Sequence, residues 1–111
     1  MSQFVMLLWE TPATFASASP AEIQAIIGEY VAWRKAMGAA GKLKGGQKLR
    51  DEGGKHLAGK TVTDGPYVET NEIIGGFFLI EAADYAEAVE ISGSCPHLKF
   101  GRIELREIEV T

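Results

Sequence analysis

The chain has 111 residues, 46 % of them hydrophobic and 23 % charged, which is the size and composition of one ordinary globular domain. Eleven Lys and Arg against fifteen Asp and Glu leave a net charge of −4, with no basic run to meet a phosphate backbone, so nucleic-acid binding is not expected. The single cysteine, Cys95, excludes an intramolecular disulfide and suits a reducing, cytoplasmic setting.

Phe4 to Trp9 is a short apolar run without a positive segment before it. It is too short for a signal or membrane helix and reads as a buried strand; no membrane association is expected. Both of its faces are apolar, with Phe4, Met6 and Leu8 on one and Val5, Leu7 and Trp9 on the other. A loop of small residues, 11–18, leads to Ser19-Pro20-Ala21-Glu22, the pattern of a helix N-terminus: a capping serine, proline at the first helical position, and a glutamate able to reach back. Ile23, Ile26, Ile27, Tyr30, Val31 and Met37 follow at helical spacing, with Gly38 and Gly41 as the stop.

Residues 42–63 are polar and glycine-rich, and are predicted to form a partly solvated hairpin around Gln47–Arg50 and His56–Val62. After the Asp64-Gly65-Pro66 turn comes a strand at Gly75–Ile80, again apolar on both faces. Asp84, with Glu87 three residues on, caps a short second helix that ends at Gly93, with Tyr85, Ala88 and Val89 expected inward. Cys95-Pro96-His97 lies in the next loop, and a last strand runs through 100–110.

The order is strand, helix, two strands, strand, helix, strand. It predicts a single α+β domain of ferredoxin-like type, with both helices on one face of an antiparallel sheet. Strands apolar on both faces leave the other side of that sheet greasy. A second copy laid sheet to sheet, a homodimer, is the expected cover.

His97 is the natural general acid or base, aimed by Pro96; the alternative is a histidine that merely closes a helix end. Asp64 either stabilises its own turn or orients His97, should the two loops open at one end of the sheet. Glu69 and Glu72 read as solvated loop residues or as the rim of a pocket. His56 is expected to face water, and Cys95 to be a small buried hydrophobe rather than a nucleophile. Trp9 and Trp33 read as core or interface anchors. The glycine pairs do not make a phosphate-binding loop, and His56, Cys95 and His97 lack zinc-ligand spacing, so neither metal nor cofactor is expected.

The run Asp64-Gly65-Pro66-Tyr67-Val68-Glu69-Thr70-Asn71-Glu72, the following Gly75-Gly76-Phe77-Phe78, and Gly93 to Leu98 with Ile103 to Arg106 resemble the YCII-related family over nearly the whole chain, and within it the DGPF branch. Tyr67 stands where that branch usually has phenylalanine, and Asn71 where it usually has lysine. The resemblance implies a ferredoxin-like fold paired into a dimeric α+β barrel and a His–Asp active site, here His97 with Asp64. Tyr67 and Glu69 would then bind substrate. It implies a cofactor-free, lyase- or hydrolase-like enzyme acting on a small organic molecule, since a relative in the wider superfamily removes chloride from a hydroxylated ring. Its alternative is a non-catalytic small-ligand-binding or regulatory role, because many members are linked to alternative sigma factors.

Overall fold

A computed structural model describes residues 1–65 and 71–111. Strand β1 (Ser2–Glu10) and strand β5 (Ile73–Ala82) form the centre of a four-stranded antiparallel sheet, flanked by β2 (Leu43–Lys48) and β6 (Gly101–Glu107). The order across the sheet is β2-β5-β1-β6, the ferredoxin-like arrangement expected from the alternation of elements. Helices α1 (Pro20–Ala39) and α2 (Tyr85–Gly93) supply the crossovers. Phe4, Met6 and Leu8 of β1 and Phe78 and Ile80 of β5 point to the helix side, where they pack with Trp33, Ala88, Ile91 and Cys95 into the core. Their alternating neighbours Val5, Leu7, Trp9, Phe77 and Leu79 take the opposite face and are only half-buried.

Helix α1 begins as its sequence dictates. The Ser19 hydroxyl accepts from the Glu22 amide at 3.1 Å, and the Glu22 carboxylate accepts from the Ser19 amide at 3.2 Å, satisfying two of the free N–H groups of the first turn. The helix passes through Gly38 and stops before Gly41, whose φ of 75° is the left-handed conformation that glycine adopts at least cost. Along it, only Trp33 is buried. Its indole N–H donates to Ser94 Oγ at 2.9 Å and its ring packs on Phe78 at 5.1 Å. The apolar stripe of the N-terminal half does not seal onto the sheet: Ile27 is 47 % and Val31 52 % exposed. The helix is pinned at Trp33 and stands off at its beginning, and that gap is the site.

Three expectations need correction. Residues 42–63 do not form one hairpin: β2 joins the main sheet beside β5, and the hairpin is made by β3 (Lys55–Ala58) and β4 (Thr61–Asp64), a separate two-stranded arm turning at Gly59. Sheet pairing with β5 supplies what the weak pattern of β2 lacks. In α2, Val89 lies outward and Ile91 and Ser92 inward beside Ala88, while Tyr85, half exposed, sets its ring edge-on against the buried Phe4 at 4.9 Å. The last strand is shorter than expected, ending at Glu107.

Candidate functional site

Between the N-terminal half of α1 and the end of the sheet lies a cavity of about 580 Å³. Its roof is Ile23, Ile26, Ile27, Tyr30, Val31 and Arg34 of α1, with Phe15 at one side; its floor is Leu8, Glu10, Gly46, Gly75, Gly76 and Phe78. Lys48, Gln47 and Asp51 stand at its β2 side and His97 at its inner end. An apolar body with a few convergent polar groups is the usual make-up of a small-molecule site.

The floor owes its shape to a break in register. Leu8 pairs with Gly76 but Trp9 with Ile74, so Gly75 is an extra residue in β5, and Gly75 and Gly76 are both turned to the helix side. Bulges of this kind recur beside active sites because they re-aim neighbouring side chains. Here the bulge makes room for Glu10. A Cβ at Gly75 would fall 1.4 Å from Glu10 Oε1, so the carboxyl group lies directly on the bare backbone. Glu10 is 4 % exposed, and burial pushes its pKa above the ordinary carboxylate range; Lys48, 3.9 Å away, opposes that rise. Lys48 is shared with Asp51, at 2.9 Å.

His97 sits in a single 3-10 turn, Pro96–Lys99, and is 2 % exposed. Nε2 lies 2.9 Å from the main-chain oxygen of Trp9, and Nδ1 lies 2.9 Å from the hydroxyl of Tyr30. A carbonyl oxygen only accepts, so Nε2 carries a proton, and Nδ1 is left to exchange with Tyr30. This contact depends on Gly101, where a Cβ would stand 2.1 Å from the Trp9 oxygen and 2.9 Å from Nε2. Burial, with the thiol of Cys95 and the carboxylates of Glu10 and Glu29 adding to it, raises the pKa of Tyr30 far above its usual value, so the phenol keeps its proton.

The residues singled out in the sequence are distributed differently from expectation. His97 is in the cavity. Asp64 is not brought to it: it ends β4 on the projecting arm, its side chain 86 % exposed and paired with Lys55, while both ring nitrogens of His97 have other partners. Tyr67 and Glu69 lie outside the described residues. Glu72 holds the Arg102 guanidinium at 3.0 Å, and Arg102 stacks over Trp9 on the far face of the sheet. His56 is half-buried on β3. Cys95 is buried and burial raises its thiol pKa, as for an inert core cysteine. Among the described residues, no three His, Cys, Asp or Glu side chains gather as a metal set. Sequence reasoning missed Glu10 and the polar role of Tyr30. The Gly75-Gly76 pair was the available signal for Glu10, since adjacent glycines in a strand mark a bulge or a close approach.

The YCII-related domain matches this chain over residues 3–110. Among solved structures, 5-chloro-2-hydroxyhydroquinone dehydrochlorinase from Burkholderia phenoliruptrix AC1100, in complex with 2,5-dihydroxybenzoquinone, is similar. The TM-score is 0.57 at 14 % identity, covering 96 % of this chain and 93 % of that one, a likeness of fold. No curated protein matches by sequence. No helix among the described residues is long and apolar enough to cross a membrane.

Proposed function

Since this chain belongs to the YCII-related domain family, we propose that it is an enzyme of the DGPF branch. In this reading it acts on a small organic molecule by cofactor-free acid–base chemistry in the cavity beneath α1. The observation that carries the reading is the Tyr30–His97–Trp9 chain of hydrogen bonds at the inner end of a cavity with an apolar body. A substrate hydroxyl placed against Tyr30 can pass its proton to the phenol oxygen as the phenol proton moves to Nδ1. The resulting imidazolium is held by the Trp9 carbonyl, and the reverse transfer regenerates the site. Such a step suits elimination, hydrolysis or isomerisation of a hydroxylated ring. The dehydrochlorinase of like fold acts on a compound of that kind.

Asp64 is the carboxylate that the family resemblance pairs with histidine; here Lys55 holds it, and Tyr30 and the Trp9 carbonyl engage both His97 ring nitrogens. Its part is therefore assigned to the rim of the assembled homodimer, in which the apolar sheet faces of two copies meet, and not to a bond with the His97 ring. Tyr67 and Glu69 complete the substrate-binding set, and the working compartment is the cytoplasm.

The test is a screen of hydroxylated and halogenated ring compounds, beginning with 5-chloro-2-hydroxyhydroquinone and following chloride release. Turnover is expected, with a loss of about 100-fold or more in His97→Ala and a measurable loss in Asp64→Asn. Turnover untouched in His97→Ala would sink the reading. Ligand binding without turnover of any compound would instead leave a binding module, the sigma-factor-linked regulatory alternative.

A further inference from the structure

We infer that Glu10 is a second catalytic residue, a carboxylic acid that delivers a proton to an oxygen of the substrate while Tyr30 and His97 receive one. This deepens the reading of the cavity as a catalytic site and rests on it. Glu10 is the last residue of β1, and the Trp9 carbonyl that holds His97 is its immediate neighbour in the chain. One strand end therefore fixes both halves of the machinery. The carboxyl group is nearly enclosed, yet it lines the cavity, and its charged partner is Lys48, at 3.9 Å. A buried carboxyl group serving only structure is ordinarily held by short hydrogen bonds to main-chain amides or by a close cation. A strand bulge and a bare glycine instead hold this one against the open space.

The ionisable groups around it are Lys48 of β2, Asp51 just beyond, His97 of the 3-10 turn, and Tyr30 and Arg34 of α1. Burial and Asp51 favour the neutral acid, and Lys48 and His97 favour the carboxylate. Burial is the largest of these influences, and the net effect raises Glu10 above an ordinary glutamate, the direction that suits a proton donor. In the forward step the O–H bond of Glu10 breaks and an O–H bond forms on the substrate oxygen. The carboxylate left behind faces Lys48. The proton lost from the substrate through Tyr30 to Nδ1 of His97 balances the one gained, and solvent exchange between the two groups resets the site. No oxidant or reductant enters.

The substrate class follows from the walls. It is a flat ring or short unsaturated body, bounded by Leu8, Phe78 and Ile26 and carrying two oxygens. One oxygen meets Glu10 and Lys48, and the other meets Tyr30.

The protein labelled with carboxyl-¹³C glutamate, its Glu10 resonance assigned by loss in Glu10→Gln, tests the inference by NMR titration with and without 4-nitrophenol, a flat phenol. Glu10 is expected to titrate above the exposed glutamates. Saturating 4-nitrophenol should move its midpoint upward by about one pH unit, a ten-fold change in proton affinity, and shift the His97 ring signals. If 4-nitrophenol shifts His97 and leaves the Glu10 titration where it was, the inference falls and the cavity reading stands. A Glu10 that titrates with the exposed glutamates overturns the inference as well. Were no signal of Glu10, Tyr30 or His97 to respond, both would fall together.

Discussion

A methyl group at Gly101 would press on the Trp9 oxygen and the His97 ring at once. Gly101→Ala is therefore expected to open the β1–β6 pairing at its end and to cost about 2–3 kcal/mol, measured by urea unfolding. Tyr30→Phe keeps the ring and removes one hydrogen bond. The expected loss is about 1 kcal/mol of stability, and far more of any activity. Glu10 makes stability depend on pH. Its native pKa is raised, so between the unfolded value of 4.5 and the native value the folded chain binds more protons than the unfolded one. The contribution is fully present below that unfolded value and disappears as pH climbs through the native one. Denaturation of Glu10→Gln at a series of pH values should lack this decline, and an identical pH dependence in the two proteins would contradict it.

At the scale of elements, α1 is started by its Ser19 cap and anchored to the body by Trp33. Ser19→Ala is expected to cost about 1 kcal/mol and Trp33→Ala about 3–5 kcal/mol. Substitutions at Ile27 and Val31, half open to the cavity, should change ligand selection with little effect on unfolding. Replacing the arm, residues 55–64, by a short glycine linker is expected to leave the cooperative unfolding of the body unchanged, because β3 and β4 pair with each other and not with the main sheet. These elements were unequally legible in the chain. The capping box of α1 and the Asp84 cap of α2 are local chemistry, and four consecutive residues suffice to read them. Strand β2, with Lys44, Gly45, Gly46 and Gln47, carries no alternation of its own and exists because β5 offers it a ladder. The site divides the same way. His97 was visible as a lone imidazole after proline, whereas its partners come from 67 and 88 residues away. Glu10 lies just beyond the apolar run Phe4–Trp9, and only the bulge at Gly75 gives it a place to be buried.

The molecule is 18 Å across its thinnest axis, with one layer of helices on the main sheet and the β3–β4 arm apart from it. Its outer sheet surface carries Val5, Leu7, Phe77 and Leu79, with Trp9 fastened by its indole N–H to Glu104 at 3.0 Å. Full cover for a large apolar side chain is worth roughly 1.5–3 kcal/mol, so four or five of them give the proposed homodimer a substantial drive. Phe77→Glu, on the face away from both helices, should turn a dimer into a folded monomer in light scattering. A wild-type protein that stays monomeric at high concentration would remove that pairing.

The two-faced sheet also bears on how the cavity can change over generations. Its floor is main chain laid bare at Gly46, Gly75 and Gly76, positions where any larger residue meets backbone or the Glu10 carboxyl group. Its ceiling is a row of isoleucine and valine side chains on a helix tied to the body through Tyr30 and Trp33. Variation is thus cheap above and forbidden below. Relatives that accept differently shaped molecules should differ first in the ceiling, while the groups that move protons stay where the strand ends put them.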